Sequence, residues 1–266
     1  MLKSSWLHVK ELSKSYGKVD ALAPCSFSLE KGEILGLLGE SGSGKTTLLR
    51  LLGGFEMPRG GSMWLNGVVM NDKGVFVSPE KRNIGIVFQD YALFPHLTVA
   101  KNIAFGLKSP NTVEQLLQVV GLEGYQDRKP DEISGGQQQR VAIARALAAS
   151  PDLLLLDEPF SNIDESMKFS FRRELHEILK KAGTTAIFVT HDTRDALDLG
   201  DKVMVIQDGH QVQLGQPEDI YQKPRSPYVA QLLGPINNLS PQSCVRAEHT
   251  MISAEGAPNA VVLRSI

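Results

Sequence analysis

The chain has 266 residues, a formal net charge of −2, and 42% hydrophobic against 22% charged residues. That composition belongs to a globular protein of one large or two modest domains and excludes disorder over most of the chain. With 28 Lys and Arg against 30 Asp and Glu, the overall field does not suit a protein that coats nucleic acid.

The two cysteines, Cys25 and Cys244, lie far apart and outside any metal-ligand spacing, as expected in a reducing compartment. No apolar run approaches the roughly 20 residues of a membrane-spanning helix. The opening MLKSSWLHVKELSKSYG lacks the apolar core of a signal peptide. A role at a membrane is therefore expected to come through another subunit.

In chain order, Trp6 to Val9 and Phe27 to Leu29 read as short strands, with turns expected around Gly17 and Pro24. Glu33 to Leu38 is an apolar run of the kind a buried parallel strand needs. TTLLRLLGG, from Thr46, has helical spacing and stops at Gly53-Gly54. SMWLNGVVM centres on Asn66-Gly67, the strongest local hairpin signal. NIGIVFQD is a further buried strand. From about Tyr91 to Ala149 the pattern turns helical, with VEQLLQVV and QQQRVAIARALAAS as its clearest stretches. Leu153 to Leu156 is a strand, Glu165 to Lys181 an amphipathic helix, and Thr185 to Thr190 and Lys202 to Gln207 are strands. Strands alternating with helices, interrupted by a helical block, predict an α/β core with a helical insertion.

GESGSGKT, from Gly39 to Thr46, fits the phosphate-loop pattern between a predicted strand and a predicted helix. Glycines in such a loop let successive N–H groups face phosphate oxygens, and the helix N-terminus adds partial positive charge. Gly39, Ser41, Gly42 and Gly44, with the first helical residues Lys45, Thr46 and Thr47, are the expected phosphate contacts. Lys45 reaches the β and γ phosphates and the Thr46 hydroxyl ligates Mg²⁺. LLLLDE then places Asp157 and Glu158 at the C-terminal end of an apolar strand, where open α/β sheets bind ligands. Asp157 is expected to orient Mg²⁺ or its water, and Glu158 to polarise the water that attacks the γ phosphate.

Ser134-Gly135-Gly136 opens the long helix of the insertion. Its chemistry fits a second anion site and an ordinary N-cap equally well.

With SGGQQQR shortly before LLLLDEP, the sequence resembles the ABC transporter ATPases. Gln89 in VFQD, Ser161 to Asp164 in SNID and His191 in VTHD follow that family's order, and the resemblance covers roughly residues 5–235. It implies a RecA-like P-loop ATPase core with an antiparallel β-subdomain and an inserted α-helical subdomain at about 90–150. It also implies ATP and Mg²⁺, and a homodimer whose copies close head to tail around two nucleotides. On that resemblance Tyr16 stacks on adenine, and Gln89 senses Mg²⁺ and the attacking water while linking to the insertion. Ser134, Gly135, Gly136 and Gln137 bind the partner's γ phosphate, Asp164 reaches across the seam, and His191 contacts the γ phosphate near Glu158. Ile133 replaces a usual leucine and SNID a commoner Ser-Ala-Leu-Asp; neither change removes a reacting group.

YALFPHLTVAKNIAFGL and GQPEDIYQKPRSPYVAQLLGPINN are similar to the importer ATPases that serve iron(III), polyamine, sulfate, molybdate and sugar systems. This implies a peripheral subunit on the cytoplasmic face of the membrane, working with permease subunits and an extracytoplasmic solute-binding protein, and no nucleic acid. Iron(III) or polyamine is the preferred solute. Leu93, Phe94, Leu97 and Phe105 are expected to line an exposed groove for a permease helix. The alternative, a soluble ABC ATPase of DNA repair or translation, would carry a long coiled-coil insertion or two cassettes, and this chain has neither. About thirty residues follow Pro235; VRAEHTMIS resembles the start of a β-rich regulatory domain, and a cut or reduced tail is expected at 236–266.

Overall fold

A computed structural model describes residues 5–107 and 112–234, together with four short strands beyond residue 235. β1 (Leu7–Tyr16) and β2 (Val19–Leu29) form an antiparallel hairpin. The turn expected at Pro24 is absent: Pro24 lies inside β2, exposed on an edge strand. An edge position tolerates proline because its missing N–H breaks no ladder bond. β4 (Gly60–Leu65) and β5 (Val68–Asp72) meet at Asn66-Gly67, both at positive φ (49° and 76°), as a two-residue hairpin turn requires. With β6 (Val75–Phe76) these strands make an antiparallel sheet in the order β2-β1-β4-β5-β6.

The second sheet contains β3 (Ile34–Leu38), β7 (Ile84–Val87), β8 (Leu153–Asp157), β9 (Ala186–Thr190), β10 (Lys202–Gln207) and β11 (His210–Gly215). Its order is β11-β10-β3-β9-β8-β7, parallel from β10 to β7. All four leucines of β8 are fully buried, which is why these strands read as unbroken apolar runs rather than alternating ones.

Helix α1 (Lys45–Gly53) ends at Gly54, whose left-handed φ of 80° closes the last turn. Leu48, Leu49, Leu51 and Leu52 of α1 join one core with Leu7, Val9 and Leu29 of the first sheet and Leu35, Leu37 and Leu155 of the second. The helical stretch between β7 and β8 holds α2 (Val99–Phe105), α3 (Val113–Val119) and α4 (Gly135–Leu147). Their apolar faces share a second core with α5 (Glu165–Ala182). A third, smaller core packs α6 (Thr193–Leu199), α7 (Pro217–Gln222) and α8 (Pro227–Leu232) against β3 and β10.

Beyond residue 235, β12 (Ile236–Ser240) pairs with β13 (Ser243–Arg246), and β14 (Thr250–Ile252) with β15 (Val261–Leu263). The stretch 245–253 that resembles a regulatory domain falls partly on β13 and β14, and residues 247–249 and 253 lie outside the described residues. Among the described residues no helix is long and apolar enough to cross a membrane.

Candidate functional site

Strand register assembles the site. Leu38 pairs with Thr190, Val189 with Asp157, and Leu156 with Val87. The residues just after those strand ends are Gly39, His191, Glu158 and Phe88-Gln89. Groups scattered over about 150 residues of sequence thus emerge at one edge of the parallel sheet, the edge where such sheets bind ligands.

The loop leaving β3 turns tightly into α1. A Cβ on Gly39 would run into the Ile206 carbonyl, and Gly44, at φ 107°, would put one 2.7 Å from the Ala21 carbonyl. Gly44 occupies the N-cap of α1 and supplies no side-chain cap. The N–H groups of Lys45, Thr46 and Thr47 precede the first intrahelical bond, Leu48 N–H to the Gly44 carbonyl, so they face outward as donors. Lys45 is 4% exposed, and its Nζ donates to the Gly39 and Glu40 carbonyls, each at 2.7 Å. Burial lowers its pKa, while Glu158, Asp157 and Glu40 pull it back up. Gly42, Gly44, Thr46 and Thr47 line a cavity of about 390 Å³ together with Val19, Asp20, Asp208 and Gly209. Asp208-Gly209, the two-residue connection between β10 and β11, forms part of that lining. Only the fold reveals this, because the turn lies far along the chain from the loop.

Asp157 ends β8, and its pKa is raised by burial and then by Glu158, with Arg50 and Lys45 opposing. No cluster of three or more His, Cys, Asp or Glu that could hold a metal occurs among the described residues. Thr46, Asp157 and Gln89 are too few donors for an all-protein cage, and they fit a Mg²⁺ that takes its remaining ligands from phosphates and water. Glu158 sits in the left-handed region at φ 46°. Its N–H donates to the Val189 carbonyl at 3.2 Å, and its carbonyl accepts from both the N–H and the hydroxyl of Ser161. A strained backbone conformation held by three hydrogen bonds is a mark of a functional position. His191 Nδ1 lies 3.6 Å from Glu158 Oε1, with the imidazole 63% exposed.

Ser134 caps α4 in a reciprocal box with Gln137: Ser134 Oγ accepts from the Gln137 N–H, and Gln137 Oε1 accepts from the Ser134 N–H. The capping reading of Ser134 therefore holds. Gly135 and Gly136 with Gln137 also line a separate cavity of about 230 Å³, together with Asn162 and Asp164. Asp164 occupies the N-cap position of α5, yet its side chain makes no capping bond, which leaves its carboxylate beside that cavity. The two cavities share no lining residue.

Gln89 is exposed, and its backbone carbonyl accepts from Asn162 Nδ2 at 2.9 Å. Asn162, noted in the sequence only as a departure, thus ties the Gln89 turn to the loop of Asp164. Gln139, fully buried on α4, donates to the Pro159 carbonyl just beyond Glu158. Tyr16 pairs with Val19 at the turn end of the β1–β2 hairpin, 44% exposed, with Lys14 Nζ 4.9 Å from its ring centroid. Of the expected groove residues, Phe105 is 72% exposed, whereas Leu93, Phe94 and Leu97 are half-buried. Leu93 packs on the helical core, so it serves packing more than surface.

Residues 22–161 match the ABC transporter family. The chain is 44% identical over 260 residues to the Spermidine/putrescine import ATP-binding protein PotA of Oleidesulfovibrio alaskensis, covering 94% of this chain and 69% of that protein. It is 42% identical over 241 residues to the Fe(3+) ions import ATP-binding protein FbpC of Fusobacterium nucleatum, covering 88% of this chain and 64% of that protein. The chain thus spans about two thirds of these relatives' length. Among solved structures, the dimeric post-hydrolysis state of the ATP-binding cassette MJ0796 bound to ADP and Pi superposes with a TM-score of 0.65 at 29% identity, over 79% of this chain and 98% of that one. A phosphate loop, a strand-end Asp-Glu pair facing a histidine, and a separate Ser-Gly-Gly cavity on one α/β scaffold agree with these similarities: the chain belongs to the ABC transporter family.

Proposed function

We propose that this chain is the ATP-hydrolysing subunit of an importer, acting as a head-to-tail homodimer that closes around two Mg-ATP. The observation that carries this reading is the pair of cavities with no residue in common. One offers a buried lysine and free N–H donors, the other a glycine-rich helix start beside an unpaired carboxylate. A second copy turned head to tail would set each phosphate loop against the other copy's Ser134, Gly135, Gly136 and Gln137. Asp164 would then reach the seam, and Tyr16 would stack on the base. That the MJ0796 cassette is dimeric with ADP and Pi bound supports assembly of two copies.

In the closed form, Lys45 and the loop N–H groups hold the phosphates, and Glu158 accepts a proton from the attacking water. His191, beside Glu158, steadies the γ phosphate. Thr46, Asp157 and Gln89 would hold a Mg²⁺, which when bound would supply charge neutralisation at the phosphate oxygens.

We take residues 1–235 as the ATPase domain, with the helical subdomain at about 90–150, and 236–266 as a tail resembling the start of a regulatory domain. Phe94 and Phe105 meet as tilted rings with centroids 4.7 Å apart, and α2 also contributes Ala100 and Ala104 to a cleft of about 480 Å³ completed by Val113 and Leu117, with Lys101, Glu114 and Glu123 in its lining. That surface suits a helix of a permease, which would hold the subunit on the cytoplasmic face of the membrane. The relatives are named for import of spermidine/putrescine, Fe(3+) ions and sulfate/thiosulfate; of these we take a polyamine or iron(III) as the solute, delivered by an extracytoplasmic binding protein.

The test is the molar mass of Glu158→Gln by light scattering with and without Mg-ATP. Doubling only with nucleotide supports the composite-site dimer, and a monomer saturated with ATP counts against it.

A further inference from the structure

β9 ends at Thr190, and His191 follows directly. The Thr190 side chain is buried, 3% exposed. Its hydroxyl donates to Asp195 Oδ2 at 2.8 Å and accepts the Asp192 N–H at 3.0 Å. One hydroxyl therefore pins the backbone on both sides of His191. Asp195, 2% exposed on α6, turns its other oxygen to Arg172 Nη1 at 2.8 Å. Arg172 is 5% exposed on α5, and its Nε lies 3.3 Å from Asp198. Helix α5 starts directly after Asp164, so a continuous buried polar chain runs from the helix behind Asp164 to the backbone of His191.

This chain is set apart from ordinary helix capping by one observation and from core stability by one general argument. Helix α6 already has its cap, because Asp192 Oδ1 accepts the Arg194 N–H at 2.8 Å. Fully buried ion pairs stabilise no better than apolar residues of like volume, and breaking one partner of such a pair is costly. A buried Arg-Asp-Thr chain at this place is thus better explained by geometry it enforces than by stability it adds.

We propose that Thr190, Asp195 and Arg172 are positioning residues that hold His191 against Glu158. The proposal rests on the reading of Glu158 and His191 given above. Losing the Thr190 hydroxyl frees the Asp192 N–H and one Asp195 oxygen, and lets the His191 turn relax while the phosphate loop stays as it was.

The experiment is a double-mutant cycle on the full chain. ATP turnover, fluorescent-nucleotide affinity and thermal melting are measured for Thr190→Val and Thr190→Ser, each alone and with His191→Ala. Thr190→Val should lower kcat about tenfold with nucleotide affinity within about twofold, since misplacing a reacting group costs rate rather than binding. Thr190→Ser should restore most of the rate. In the His191→Ala background, Thr190→Val should change turnover no further. Equal loss in both backgrounds, or parental kcat in a folded Thr190→Val, overturns the proposal. Normal turnover of His191→Ala alone overturns the reading beneath it. Should Thr190→Val melt below the assay temperature, Asp195→Asn, which keeps the volume and one acceptor, replaces it with the same expectations.

Discussion

At the scale of single residues, Lys45 and Asp157 show how the site stores charge. Lys45 is nearly sealed from water, and its ammonium is satisfied by two carbonyls of its own loop. Lys45→Met removes a phosphate partner and strands those carbonyls together, so nucleotide affinity should fall at least about tenfold, the equivalent of roughly 1.4 kcal/mol. Titration with a fluorescent ATP analogue checks this, and unchanged affinity would remove Lys45 from the phosphate site. Asp157 presents the opposite case. Burial and the neighbouring Glu158 raise its pKa above the ordinary 3.8, so its ionised form opposes folding. That penalty grows as pH rises from the ordinary value through the raised one, because the unfolded chain gives up this proton first. Asp157→Asn should melt higher than the parent without nucleotide, by about 2–4 °C for each kcal/mol relieved. The gain should widen as pH climbs through that window, and Mg-dependent turnover should collapse. A lower melting temperature at neutral pH would show that Asp157 is not held at a cost.

At the scale of elements, the loops of the site are bound to one another by a few bonds rather than by shared core. Asn162 Nδ2 meets the Gln89 carbonyl, and Gln139 meets the Pro159 carbonyl. Asn162→Ala removes the first link without disturbing either strand end. Turnover should drop several-fold while ATP affinity and the melting temperature hold within error, as expected for a surface-side contact whose effect is positional. Parental turnover would mean that the Gln89 turn is held by other contacts. The strands themselves are far less forgiving. Leu155 of β8 is fully buried between both sheets' side chains, and Leu155→Ala should cost about 2–5 kcal/mol, read as a shift in the urea midpoint with the m-value unchanged.

At the scale of the whole molecule, three cores hold a phosphate loop on one part of the surface and the Ser134 cavity on another. Ser134→Arg keeps every group of the phosphate-loop cavity, so the isolated chain should bind ATP with parental affinity. It would drive a bulky cation into the partner's nucleotide, and turnover should be abolished. Loss of binding in the variant would place Ser134 at its own chain's nucleotide and contradict a head-to-tail pair. The arginine at that position also ends the capping box of α4, at a cost of about 1 kcal/mol, so a melt accompanies the assay.

Much of this protein is legible before any coordinates. GESGSGKT demands a strand before it and a helix after it, the apolar run of β8 demands burial on both faces, and Asn66-Gly67 demands a hairpin; local chemistry dictates each, and each is present. Pro24 misled because edge position, which excuses proline from the ladder, is a property of the sheet and not of its neighbours in sequence. The same limit applies to the site. Sequence named Gly39, Gln89, Glu158 and His191 one by one, but their meeting at a single sheet edge follows from the order β3-β9-β8-β7 and its register. The Asp208-Gly209 wall, the Asn162 tie and the buried Arg172-Asp195-Thr190 chain had no sequence signal at all. Each joins residues brought together only by strand pairing and helix packing, and burial gives such polar contacts their weight.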